Sequence, residues 1–162
     1  IPLFKHQVQT QDHLTVTHPD MTRFLMTLDD SVDLILTTLE NANTGETWIP
    51  KLDAMKIIDL ANIYAKTYDK TIKFTGIRPG EKIHESLVSD SESIRTVERE
   101  NHYVIRPSYD RPISENVFEY SSADFCLDKE KLKVYLDDLS ILDRNIEEFV
   151  GKTICEEKRT GE

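Results

Sequence analysis

A chain of 162 residues with 38% hydrophobic and 31% charged side chains is long enough to bury about two thirds of its unfolded surface in one core, which excludes a disulfide-dependent mini-protein. Twenty Lys and Arg against 30 Asp and Glu give a net charge of −10, the wrong sign for a protein that coats nucleic-acid phosphates or an anionic membrane. No apolar run approaches the length of a bilayer span, so neither nucleic-acid binding nor membrane insertion is expected. Glycine is scarce, at positions 45, 76, 80, 151 and 161, and from these neither G-x-G-x-x-G nor G-x-x-x-x-G-K-[ST] can be written. Cys126 and Cys155 lie far apart with no partnering His spacing, so a reducing, cytoplasmic setting is expected, with neither a disulfide framework nor a zinc site. The chain opens on Ile1-Pro2-Leu3-Phe4 with no initiator Met or leader and reads as a segment of something longer.

In chain order, Leu14 to Thr17 is β-like, and Leu28 to Asn41 is a helix with Leu28, Val32, Ile35, Leu36 and Leu39 on one stripe. Thr27, three residues before Asp30, caps that helix, and Asn43-Thr44-Gly45 stops it. Thr47 to Pro50 is a short strand. Asp53 then caps a second helix, Ala54 to Tyr68, whose buried face is Met55, Ile58, Leu60, Ala61, Ile63 and Tyr64. Thr71 to Ile77 alternates as a strand, Arg78-Pro79-Gly80 turns the chain, and a short helix is expected from Glu81 to Val88. Beyond a polar stretch, Tyr103 to Arg106 reads as a strand, Pro107 to Ser114 as a linker, and Asp128 to Leu139 as a capped amphipathic helix. Ile146, Phe149 and Val150 indicate a further short helix before a charged, disordered tail over Glu156 to Glu162. Strands and helices alternating at these lengths indicate an α/β layer arrangement.

No catalytic constellation is evident. The five histidines (6, 13, 18, 84 and 102) lack metal-ligand spacing, and His84 is singled out solely for its place after the Arg-Pro-Gly turn. That turn is the strongest chemical signal. In Gly76-Ile77-Arg78-Pro79-Gly80-Glu81-Lys82 the proline stiffens the backbone and Gly80 allows a tight bend, which presents Arg78 at the end of a strand. A guanidinium so placed can fork onto phosphate oxygens, and Glu81 can accept from paired hydroxyls such as those of a ribose. A purely structural turn with an exposed charge pair explains the same spacing equally well. Arg23, a lone base amid acidic sequence, reads by itself as a surface residue.

Taken together, these strings resemble the C-terminal half of the extended short-chain dehydrogenases/reductases that act on nucleotide sugars, in the capsule and flagellar polysaccharide branch of inverting UDP-N-acetylglucosamine 4,6-dehydratases. The resemblance is carried by Ile1-Pro2-Leu3-Phe4, by Leu14-Thr15-Val16-Thr17-His18-Pro19-Asp20-Met21-Thr22-Arg23-Phe24, and above all by Gly76-Ile77-Arg78-Pro79-Gly80-Glu81-Lys82-Ile83-His84-Glu85. It divides the chain into a substrate-binding region over 1–107 and a capsule-type extension over 108–144 carrying the amphipathic helix; the short helix with a charged tail over 145–162 lies beyond the resemblance. It implies a Rossmann-type α/β fold without its N-terminal nucleotide-binding half.

The resemblance further implies that Arg23 and Arg78 hold the diphosphate of a UDP-sugar, that Glu81 binds the ribose, and that backbone at Thr15 and Thr17 meets the uracil. NAD or NADP belongs to the parent enzyme, with none bound by this chain alone. No Tyr or Met here has a Lys four residues on, so the family's catalytic pair is absent, no catalytic residue is assigned, and the chain is expected to be inactive alone. The expected partners are a UDP-sugar and either the missing N-terminal Rossmann half or further copies in a homo-oligomer. The alternatives are a 5-epimerase or 4-epimerase of the same family, a non-catalytic UDP-sugar binding module, and an acidic protein-interaction domain.

Overall fold

A computed structural model of the chain describes residues 1–111 and 114–142. Pro2 stands at the start of α1 (Pro2–Thr10), where its missing N–H removes a donor that has no helical partner anyway. The apolar alternation after it extends as β1 (His13–Val16), with Leu14 and Val16 buried and His13 and Thr15 on the opposite face. β2 (Thr22–Phe24) follows, then α2 (Leu28–Asn41), whose Thr27 and Asp30 form a reciprocal capping box as the sequence predicts.

β3 (Thr47–Pro50), β4 (Ala54–Lys56), α3 (Ile57–Tyr68) and β5 (Thr71–Phe74) come next, followed by β6 (Ser86–Val88) and the single turn α4 (Asp90–Ser93). β7 (Thr96–Arg99), β8 (His102–Ile105), β9 (Tyr120–Ser121) and α5 (Lys129–Asp138), capped by Asp128, complete the described chain. β1 and β5 run parallel, with Leu14 opposite Ile72. β2 pairs antiparallel with β4, β8 lies between β3 and β7, and β6 pairs with β9 through an irregular register. The architecture is mixed α/β, in agreement with the class read from the sequence.

Two cores hold these small sheets. One joins Phe4, Leu14, Val16 and Leu25 to Leu60, Ala61, Ile63 and Tyr64 of α3 and to Leu132 and Leu136 of α5. The other gathers Val88, Ile105 and Tyr120 with Phe24, Tyr103 and Phe118 around them. Tyr120 is its hub. Its ring lies 5.0 Å from Phe24, 5.1 Å from Tyr103 and 4.9 Å from Phe125, and its hydroxyl both accepts from the Leu52 amide and donates to the Leu52 carbonyl. Residues 114–142 therefore pack into both cores.

Several expectations are corrected. Ala54 to Lys56 is strand and not the first turn of a helix, because Met55 and Ala54 pair with Arg23 and Phe24, and the Ala54 amide donates to the Phe125 carbonyl. Lys56 and not Asp53 is the N-cap of α3. The helix expected over Glu81 to Val88 does not form, because backbone groups there bond to neighbouring segments and not up a helix, and Ser86–Val88 is strand. β5 stops at Phe74, before Gly76 enters the left-handed region at φ +82°. α1, β2, α4, β7 and β9 are additional to the sequence reading. The short helix at Ile146 to Val150, the charged tail and Cys155 lie outside the described residues.

One buried carboxylate ties the turn after α2 to the β3-β8-β7 sheet. Glu46 accepts from the backbone and side-chain amides of Asn43, from the Trp48 indole and from both terminal nitrogens of Arg99. Gly45 beside it has φ +82°, and a Cβ there would lie 2.9 Å from Pro107. Burial alone would push the Glu46 carboxyl up, but the two Asn43 bonds, Arg99 and Trp48 outweigh it and hold the group at about 2 against an ordinary 4.5. A lowered native pKa means that the contribution of Glu46 is complete above pH 4.5 and is lost as pH falls from there through about 2. Glu46→Gln should lower stability by about 1–3 kcal/mol at neutral pH. Urea unfolding at a series of pH values should give a shallower acid slope for the variant, and identical slopes would contradict this role.

Candidate functional site

β1 ends at Val16, whose carbonyl accepts from the Thr75 amide, so the parallel pair delivers Thr17 and the segment after β5 to the same end of the sheet. Gly76 and Gly80, both at φ +82°, then turn the chain back across the start of β2. A Cβ at either position would meet nothing within 4 Å, so these glycines serve backbone conformation and not a close approach.

The returning segment, residues 78–85, is clasped from three sides. The Thr22 amide donates to the Ile83 carbonyl at 2.9 Å. Arg23 donates through Nη1 to Ile83 O at 3.1 Å and Thr22 O at 2.6 Å, through Nη2 to Lys82 O at 2.9 Å, and its Nε faces Glu85 at 3.5 Å. Ser122, after β9, accepts from the Glu85 amide at its Oγ and donates its own amide to Glu85 O.

Beneath the clasp runs a chain of hydroxyls. Thr22 Oγ1 lies 2.8 Å from His84 Nδ1 and 2.6 Å from Ser122 Oγ, and Cys126 donates its thiol to Ser122 O at 3.2 Å. Burial pushes the Cys126 thiol up, which keeps it protonated as a donor. Thr22 and Ser122 are fully enclosed, so each bond in this chain satisfies a group that water does not reach. His84 is thereby a structural partner of Thr22.

Four of the five residues singled out from the sequence gather here. Thr17 donates to Glu81 Oε1 at 3.5 Å, Glu81 Oε2 accepts from the Arg78 amide at 3.2 Å, and the Glu81 amide donates to Arg78 O. The Arg78 guanidinium is exposed and has no hydrogen bond or ion pair among the described residues. Arg23 sits in the clasp with most of its N–H groups committed to carbonyls. Thr15 is turned elsewhere: its amide donates to Gln7 Oε1 at 3.0 Å and its hydroxyl accepts from Gln7 Nε2 at 2.6 Å. Sequence reasoning missed Gln7, Thr22 and Ser122, whose contacts join separate segments, 8 and 100 positions apart in the chain.

Two open clefts lie away from this loop. One, of about 340 Å³, is lined by Lys51, Asp53, Tyr103, Tyr120 and Phe125, and the other, of about 400 Å³, by Asn41, Trp48, Arg99 and His102. No group of three His, Cys, Asp or Glu residues among the described residues is arranged to hold a metal. A dinucleotide does not fit these residues either: the glycines after β5 lead into a clasped loop and not into a helix N-terminus that could receive a pyrophosphate.

The family model described as polysaccharide biosynthesis protein matches residues 1–107. The chain belongs to this family. Proteins similar to it include the inverting UDP-N-acetylglucosamine 4,6-dehydratase of Campylobacter jejuni, 41% identical over 109 residues, which are 67% of this chain and 32% of that enzyme. The UDP-glucose 4-epimerase of Rickettsia massiliae is 42% identical over 107 residues, 65% of this chain and 31% of the epimerase. A Methanocaldococcus jannaschii protein described as an uncharacterized membrane protein is 36% identical over 152 residues, covering 88% of this chain and 46% of its own. No helix among the described residues of the present chain is long and apolar enough to cross a membrane.

The crystal structure of Pen from Bacillus thuringiensis superposes with a TM-score of 0.76 at 26% identity, over 86% of this chain and 45% of that one. The fold is thus that of the C-terminal part of an extended short-chain dehydrogenase/reductase, in a family of nucleotide-sugar dehydratases and epimerases. The chain spans less than half the length of the relatives it matches.

Thr22→Val keeps the shape of the side chain but leaves Ser122 Oγ and His84 Nδ1 without their shared partner, which should cost about 1–3 kcal/mol. Thr22→Ser retains the hydroxyl and should recover most of that loss. Chemical denaturation of both variants checks this, and a wild-type midpoint for Thr22→Val would remove the network from the account.

Proposed function

We propose that this chain is the UDP-sugar-binding part of an NAD(P)-dependent nucleotide-sugar 4,6-dehydratase, acting on UDP-N-acetylglucosamine in polysaccharide or glycan precursor synthesis. The observation that carries the reading is the exposed Arg78 guanidinium, which has no hydrogen bond or ion pair among the described residues, on a loop fixed at 82–85 by Arg23, Thr22 and Ser122. A planar cation on a fixed backbone is preorganised for a diphosphate, whose oxygens it can bind in a fork. Glu81, held beside it by Thr17 and the Arg78 amide, keeps lone pairs for the hydroxyls of a ribose. The remaining N–H of Arg23 adds positive charge from the clasp, so Arg23 serves chiefly to position the loop.

Catalysis is assigned to the rest of the enzyme. Oxidation at the sugar, proton loss next to the new ketone and loss of water call for a nicotinamide and an acid-base pair, and this chain carries neither the glycine turn nor the Tyr or Met paired with Lys. The dehydratase and epimerase relatives match this chain almost equally, at 41% and 42% identity, which supports a shared task of holding the UDP moiety. That same equality favours 4-epimerisation as the second reading, with the choice of reaction set outside the matched region.

Titration of the labelled chain with UDP should shift the amides of Arg78, Glu81 and Arg23. Arg78→Ala should weaken UDP binding by roughly tenfold or more, the order expected for loss of a charge-assisted pair. Absence of any shift with millimolar UDP would overturn the reading.

A further inference from the structure

The cleft of about 340 Å³ beside the connection from β3 to β4 contains no residue of the clasped loop, and its walls come from two stretches of chain. Lys51, Asp53, Asn101 and Tyr103 belong to the segment that the family model matches, whereas Tyr120 and Phe125 lie beyond it. The volume is at the lower end of the range, about 300–1,000 Å³, of pockets that hold a small molecule. Tyr120 is buried with its hydroxyl committed to Leu52, so it offers the cleft ring surface alone. Phe125 stands nearly perpendicular to it, with ring centres 4.9 Å apart, and stays 42% exposed.

Three polar groups share the cleft with these rings. Asp53 and Asn101 are exposed, and neither side chain has a hydrogen bond or ion pair among the described residues. Their backbones are fixed nonetheless, the Asp53 carbonyl accepting from the Leu25 amide and the Asn101 carbonyl from the Lys51 amide. The Lys51 ammonium is paired with Glu98 and lies 5.1 Å from the centre of the Tyr103 ring, with N–H groups to spare. This set restricts the ligand. An anion, a nucleotide phosphate included, would meet the Asp53 carboxylate, and a cation would meet the Lys51 ammonium. A wholly apolar ligand would cover both and leave them unpaired. What matches is a neutral ring with one C–H face, which suits the negative face of an aromatic ring, and an edge of hydroxyls that both donate and accept. That is the chemistry of a pyranose.

We propose that this cleft is a second binding site, separate from the Arg78 loop, for a neutral saccharide that carries no nucleotide. The sugar ring lies against Phe125 with Tyr103 beside it, Asp53 accepts from its hydroxyls, and Asn101 and Lys51 donate to them. Because the backbone on both sides is already bonded, binding orders little more than the side chains of Asp53 and Asn101. The site stands independently of the UDP reading.

Titration of the labelled full chain with N-acetylglucosamine and with cellobiose, up to tens of millimolar, should shift the amides of Asn101, Tyr103 and Phe125 saturably and leave those of Arg78 and Glu81 in place. Asp53→Ala should weaken sugar binding by roughly fivefold or more, as loss of a hydrogen bond to a charged group does, and should not move the melting midpoint, since the side chain is exposed. Phe125→Ala should abolish the shifts. UDP binding should survive in both variants. Glucuronate, repelled by Asp53, should bind several-fold more weakly than N-acetylglucosamine. No saturable shift with either sugar, shifts centred on Arg78, or unchanged affinity in Asp53→Ala would each overturn the proposal, and so would equal affinity for glucuronate. Sugar shifts at Asn101 in a chain that gives no response to UDP would fail the functional reading and support this one.

Discussion

The structure turns on the buried hydroxyl of Thr22. A single Oγ1 in the second core's neighbourhood faces both His84 and Ser122, and each of those holds a different stretch of chain against β2. Hydrogen bonds of this kind contribute modestly when made and cost more when one partner is lost in a site closed to water. Because Thr22 lies beside Arg23, the same strand offers an amide, a hydroxyl and a guanidinium to residues 82–85. The loop has little freedom left. What projects from its beginning, Arg78, is therefore presented from a fixed base although the side chain itself is in solvent.

This arrangement changes the meaning of the two arginines. The family resemblance implies that they act alike, as two cations aimed at one diphosphate. In the folded chain they differ: Arg23 is largely consumed by carbonyl oxygens, whereas the Arg78 guanidinium has no hydrogen bond or ion pair among the described residues. A guanidinium's planar fork matches paired acceptors, and in Arg23 those acceptors are backbone carbonyls.

Local signals explain which elements could be read in advance. The Thr27 and Asp30 capping box, the Asp128 cap and the alternation through Leu14 and Val16 are each written in a few consecutive residues, and the corresponding elements are present. The strand at Ala54–Lys56 was illegible because Met55 fits the helical stripe of α3 as well as it fits a strand, and long-range pairing with Arg23 and Phe24 decides the matter. Glu81 to Val88 fails as a helix for the same reason, its carbonyls and amides being taken by β2 and Ser122. Arg78 and Glu81 were legible from their turn, but the bond from Thr15 to Gln7 and the contact between Thr22 and Ser122, 100 residues apart, have no local signature.

The central claim is that residues 82–85 are fixed by β2 and Ser122, and amide hydrogen exchange reads it directly. The amides of Thr22 and Glu85, which donate to Ile83 O and Ser122 Oγ, should exchange as slowly as core amides such as Leu60 of α3. Exchange of Thr22 and Glu85 at the rate of open loop amides, with Leu60 still protected, would contradict it.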